Sequence, residues 1–161
     1  METPDFSENE NKQLVFSVAD ELPYLRHDDV FGDYYEVLEI SEKAIDTTRL
    51  VKNMPFLKDH DHSAQLGAVK SFWIDEAQKK LYVSVKFSRS RFAQSVKEDI
   101  IDMIRQNTSI GYFVNEFERT GTAEDGIPIL RAVSWTPYEC SSVSVPASVF
   151  VGYNRSLEVK E

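Results

Sequence analysis

A single cysteine, Cys140, is all the chain has, so no intrachain disulfide can staple it and no all-cysteine zinc site can form. Histidine is scarce too, with only His27, His60 and His62. Positive charge is short: 18 Lys and Arg face 27 Asp and Glu, a formal net charge of -9. Without a cationic excess there is little to displace counterions from a phosphate backbone, so nucleic acid is not an expected partner. Apolar runs long enough to span a bilayer are missing. Residues 1–12, METPDFSENENK, have neither the basic start nor the apolar core of a secretion signal. A reducing, cytoplasmic setting without membrane contact is expected.

What is present is ordinary for a globular domain: 42% hydrophobic and 28% charged residues in 161. A chain of this size buries roughly two thirds of the surface it exposes when unfolded, enough for one core and not for two. Residues 1–12 read as an acidic arm, 13–150 as the domain, and 151–161, ending NRSLEVKE, as a charged tail. Strand patterns run over 13–19, 33–40, 66–75, 79–88, 108–118, 129–135 and 139–147, clearest in LYVSVKF, where apolar and polar residues alternate. Residues 23–33 read as a loop, and 41–53 as one or two helical turns starting at Ser41. The period changes at 90–107, where Phe92, Val96, Ile100, Met103 and Ile104 fall three or four apart and predict a helix packed on a sheet. The expected fold is mainly β with helices: an antiparallel, barrel-like sheet of about six or seven strands flanked by helices.

Three places could carry chemistry. In FLKDHDHSAQLG, residues 56–67, acid and histidine alternate as Asp59, His60, Asp61 and His62. If this stretch is extended, His60 and His62 share a face and could offer two imidazoles to zinc. The spacing nominates no third ligand, so a metal site, a polar turn and a catalytic base all stand as readings. Ser109 opens SIGY, a small polar residue entering an apolar strand beside Gly111, which would let a backbone approach closely. Glu139 precedes the small-residue strand CSSVSVPA, at the strand's lip. Cys140 beside it has no cationic neighbour to activate it and reads as a structural thiol.

The order of EVLEISEKAID (36–46), LKDHD (57–61), LGAV (66–69), VKFSRSRFAQSVKEDI (85–100), SIGY (109–112) and YECSSVSVPA (138–147) resembles the prohead proteases of tailed bacteriophages. These are capsid-maturation serine proteases, distantly related in fold to the herpesvirus assemblins. The resemblance spans most of residues 14–150. It implies that His60, in a motif like L-x-x-H-D, is the base, that Ser109, in S-I-G-Y, is the nucleophile, and that Glu139, in a motif like E-x-S-x-V, is the third member. Assemblins use a second histidine there, but no histidine follows His62, so an acid must serve. His62 is then a neighbour of the base, and Asp59 and Asp61 cap a turn or bond locally. The resemblance further implies a serine endopeptidase inside the assembling prohead, in host cytoplasm, with no cofactor or metal. Its substrates would be phage major capsid protein and scaffold segments, with self-cleavage and self-association left open. The rival expectation is a non-catalytic capsid assembly or scaffold module on the same fold.

Overall fold

The structure, a computed structural model, describes residues 13–155. The expected arm and residues 156–161 of the expected tail lie outside the described residues. Among the described residues there are eight strands and one helix: β1 Leu14–Asp20, β2 Tyr24–Asp28, β3 Gly32–Leu38, β4 Pro55–Lys58, β5 Asp61–Asp75, β6 Lys80–Phe87, α1 Arg91–Ile101, β7 Thr108–Thr122 and β8 Pro128–Ser142. They form one sheet in the order β1-β6-β5-β4-β8-β3-β2, with β7 also paired to β8.

This corrects the expected antiparallel, barrel-like, assemblin-like sheet flanked by helices. The sheet is mixed, because β3 and β4 both run parallel to β8. It is also open: between β1 and the start of β7 there is no ladder, only the isolated bridges Phe16↔Tyr153 and Asn107↔Gly152. Alternation in the sequence reports that a strand has two faces, but carries neither the direction nor the identity of its partner. Helices are scarce as well. At 41–53 Ser41 Oγ does accept the Ala44 N–H at 3.0 Å, as a cap should. The Asp46 N–H then bonds Trp135 O at 2.9 Å, so β8 takes over the backbone bonding that a helix would need.

The spine is β8. It pairs with β7 along its whole length, while its other edge carries β3 at residues 129–132 and β4 at 140–142. The two strands read from the sequence at 129–135 and 139–147 are therefore one strand, which ends at Ser142. Residues 23–33 are a hairpin, β2 and β3, rather than a loop. The helix stops at Ile101, a turn and a half before the expected end. Ser90 caps it by accepting the Ala93 N–H at 3.1 Å. Val96 and Ile100 of the apolar stripe are buried, but Phe92, Met103 and Ile104 are exposed.

The core lies between the β1/β5/β6 face and α1, around Leu14, Phe16, Leu66, Val83, Val85 and Ile100. Phe16, Phe56 and Phe87 pack ring to ring at 4.9–6.4 Å between centroids, a geometry that adds to the area they bury. Every residue of β1 is buried, because residues 148–153 cover its outer side. Ser17 Oγ accepts the Gly152 N–H at 3.0 Å, and Val151 and Tyr153 are buried. Residues 151–155 of the expected tail thus pack against the domain. Among the described residues no helix is long and apolar enough to cross a membrane.

Lys80 anchors this covering segment. It is fully buried, and its Nζ donates to Phe150 O and, at 3.3 Å, to Arg155 O. Burial strips its hydration and pushes its pKa down to about 8, against the pull of Asp20 and with help from Arg155. From about pH 8 to about pH 10 the unfolded chain holds a proton that the folded chain lacks, so folding should become more favourable as pH rises through that window. The free energy of unfolding obtained from urea titrations across it should climb by an amount on the order of 1 kcal/mol, and Lys80→Met should flatten the slope.

Candidate active site

The acid-histidine stretch is not extended. Lys58 pairs with Asp61 across the β4–β5 hairpin, so Asp59 and His60 are the two central residues of a tight turn. Both have positive φ, 51° and 58°, as a type I′ hairpin requires. Such turns favour Asn-Gly or Asp-Gly. A histidine in place of the glycine accepts a left-handed backbone, which costs about 1–2 kcal/mol, and the cost is met by what its side chain reaches.

That side chain faces β8. His60 Nδ1 contacts Glu139 Oε1 in a short hydrogen bond, while the His60 N–H donates to Ser141 Oγ at 3.1 Å. Ser141 Oγ in turn donates to Glu139 Oε2 at 2.8 Å. Both carboxylate oxygens of Glu139, whose side chain is only 3% exposed, are therefore bonded. With Nδ1 turned to the acid, its proton belongs on Nδ1. Nε2, which has no hydrogen-bond partner among the described residues, remains an acceptor. The imidazole is 44% exposed.

Ser109 stands on β7 directly opposite Ser141, and Gly111 opposite Glu139. Opposed residues of an antiparallel pair share a face, so Ser109, Gly111, Glu139 and Ser141 all lie on the face where His60 sits. Ser109 is half-buried, and it and His60 line one cleft of about 400 Å³ with Asp20, Tyr24, Val145 and Ser148. The structure thus brings the three residues singled out in the sequence to one place. It forms the His60–Glu139 contact, and it forms no hydrogen bond between Ser109 and His60. Gly111 does admit a close approach, but by the side chain of the acid rather than by a backbone: a Cβ at 111 would lie 2.9 Å from both Cγ and Cδ of Glu139.

His62, on β5, is exposed and lines an adjoining hollow of about 520 Å³ with Tyr138 and Phe117. His27 is far along the chain on β2, bonded to Asp33 at 2.8 Å. The extended geometry that would pair His60 with His62 as metal ligands is absent, because the turn falls between β4 and β5. Asp61 bonds locally, accepting the Ser63 N–H at 2.9 Å. Asp59 does not: its Oδ1 accepts the Ser144 N–H and an Arg105 N–H, each at 3.1 Å. Burial raises the Asp59 pKa, but those bonds and the charges of Arg105 and Lys58 outweigh it and hold the carboxyl below its ordinary value. Cys140 points to the opposite face and is fully buried. Burial, then the Glu139 charge, pushes its thiol well above the ordinary range, which suits an inert side chain. Ser141 and Arg105 were not singled out in the sequence. The spacing Glu139-x-Ser141, two residues on one face of a strand, was the available signal for the first.

With this geometry in view, comparison with known families is decisive. The model of the Caudovirus prohead serine proteases matches residues 21–151. The chain belongs to that family. Membership associates it with the phage prohead and its capsid. The major capsid protein of Halomonas phage phiHAP-1 is 37% identical to it over 129 residues, which cover 76% of this chain and 21% of that protein. The chain spans about a fifth of the length of this relative. No solved structure matches it.

Within the family frame, Gly111 is where the acid's seat can be probed without touching a charged side chain. Gly111→Ala should displace the Glu139 carboxylate and break its contact with His60, costing about 1–3 kcal/mol by overpacking. Chemical denaturation reads the loss, and disappearance of the low-field proton resonance of the His60 Nδ1–H bonded to Glu139 reads the broken contact.

Proposed function

We propose that the protein is a serine endopeptidase acting in prohead maturation, with Ser109 as nucleophile, His60 as general base and Glu139 as the acid that orients it. One observation carries the reading: His60 Nδ1 is held by a buried carboxylate while Nε2 is left unbonded, in a ring that lines the same cleft as Ser109. In this mechanism Ser109 Oγ attacks the scissile carbonyl, and His60 Nε2 takes the hydroxyl proton and returns it to the leaving amine. Glu139 keeps the tautomer and stabilises the imidazolium. Water then hydrolyses the acyl-enzyme by the same route. A longer Ser109–His60 approach before substrate binds is ordinary for such sites.

The substrates on this reading are capsid protein and scaffold segments within the immature shell. There, confinement supplies the effective concentration that a modest protease needs. Self-cleavage belongs to the same proposal, since the phiHAP-1 relative carries a similar stretch inside a much longer polypeptide named a major capsid protein. That name also favours a second reading, in which the domain is a non-catalytic assembly module and His60, Ser109 and Glu139 merely pack.

Co-expression with the cognate capsid protein, followed by mass-spectrometric mapping of new termini, separates the two readings. Ser109→Ala and His60→Ala should each lower cleavage by several orders of magnitude, and Glu139→Gln by about 10²–10⁴, with circular dichroism unchanged for Ser109→Ala. Undiminished processing by folded Ser109→Ala would exclude the assigned nucleophile and favour the assembly module.

A further inference from the structure

We propose that Arg105 is a positioning residue that ties the strand bearing Ser109 to the turn bearing His60, and so sets the distance between base and nucleophile. The proposal rests on the reading of His60 and Ser109 given above.

The hairpin that carries His60 holds its own tip poorly. Its register slips twice, between Phe56 and Leu57 and between Leu57 and Lys58, so that Leu57 faces Gln65 while Lys58 faces Asp61. Residues 62–64 bulge on the opposite strand, and the two turn residues carry left-handed backbone. A tip built this way keeps one orientation only if something outside the hairpin pins it. β8 supplies some of the pins, through Asp59 N–H to Ser142 O at 2.8 Å and His60 N–H to Ser141 Oγ.

Arg105 supplies the link that β8 cannot. It lies in the connection between α1 and β7, four residues before Ser109, and its side chain is 14% exposed. Nη2 donates to Asp59 Oδ1 and to Ser142 O, both at 3.1 Å. Nε donates to Ser142 Oγ at 3.2 Å, and Nη1 to Ser144 Oγ at 3.0 Å. One rigid planar fork therefore touches the turn of the proposed base and the end of the strand of the proposed acid, while its own backbone leads into the strand of the proposed nucleophile. Charge-assisted bonds of this kind are about twice as strong as neutral ones. An ammonium on a flexible stem cannot satisfy the same four acceptors. Because misplacing reacting groups by about 1 Å can cost about a hundredfold in rate, loosening this clamp should be read in the chemistry before it is read in the fold.

A fluorophosphonate probe tests this without a known substrate. Serine oxygen displaces fluoride from phosphorus, and the rate of that step depends on a base poised at the serine. Labelling of the full chain should map to Ser109 and vanish in Ser109→Ala. Arg105→Ala and Arg105→Lys should each label about 10–100-fold more slowly, and added guanidinium should restore part of the rate to the alanine variant but not to wild type. Asp59→Asn, which keeps the shape of the turn, should reproduce the slowing if Arg105→Ala does not fold. Folded Arg105 variants that label at the wild-type rate would overturn the proposal.

If wild type does not label at Ser109, the peptidase reading itself fails. The positioning role is then judged by the low-field proton resonance of the His60 Nδ1–H bonded to Glu139. Loss of that signal in a folded Arg105→Lys or Asp59→Asn chain supports the clamp, and its persistence unchanged refutes it.

Discussion

A carboxylate buried on the face of a sheet is the constraint around which this site is arranged. Taking the charge of Glu139 out of water would cost several kcal/mol if it were left bare, and β8 places it where solvent reaches almost none of it. Three neighbours answer that demand. Gly111 gives it room, Ser141 bonds one oxygen, and the imidazole of His60 bonds the other. The left-handed turn at Asp59–His60 follows from the last of these, because only a sharp reversal at the end of β4 brings a side chain back over β8 at that point. Removing the imidazole would leave an uncompensated buried charge, so stability and the proposed chemistry draw on the same contact.

The mixed sheet explains how residues 49 and 30 positions apart come to one face. Glu139 lies in the C-terminal part of β8, and the other two, His60 and Ser109, lie on or next to strands paired with that part: β4 on one edge, β7 on the other. A purely antiparallel meander would put successive strands side by side and leave β4 with no place beside β8. The parallel ladder Phe56↔Cys140 to Lys58↔Ser142 carries the turn to the acid, and the antiparallel ladder Thr108↔Ser142 to Gly111↔Glu139 carries the hydroxyl to it from the other side. Function in such a fold lives at a junction of ladders rather than in any one motif.

How far the sequence could be read follows from the range of each interaction. Strand period along LYVSVKF and the change to helical period after it are local, and they were legible. The meeting of His60, Ser109 and Glu139, the proposed triad, was expected from the order of their motifs, although no periodicity places them together. The parallel partners of β8 were not legible, since the direction of pairing is settled only by the connections. Nor was the exposure of Phe92, Met103 and Ile104: the helix ends at Ile101, so the last two leave the helical face that a longer helix would have buried. Arg105, Asp59 and Ser141 act through bonds that span 37 to 85 residues of chain. A charged or small polar residue of this kind looks in sequence like any solvated surface position.

The β7–β8 ladder keeps regular register from Thr108 to Gly111 and first slips between Gly111 and Tyr112, just beyond the acid. Further slips at Val114, Glu116 and Arg119 follow along the outer arm, each adding twist and unpaired backbone. The irregularity therefore begins where the spacing of hydroxyl and carboxylate is no longer at stake. Evolution could lengthen, shorten or re-aim that arm, and so change what it embraces, while the bulges absorb the mismatch like expansion joints and leave the inner rungs undisturbed.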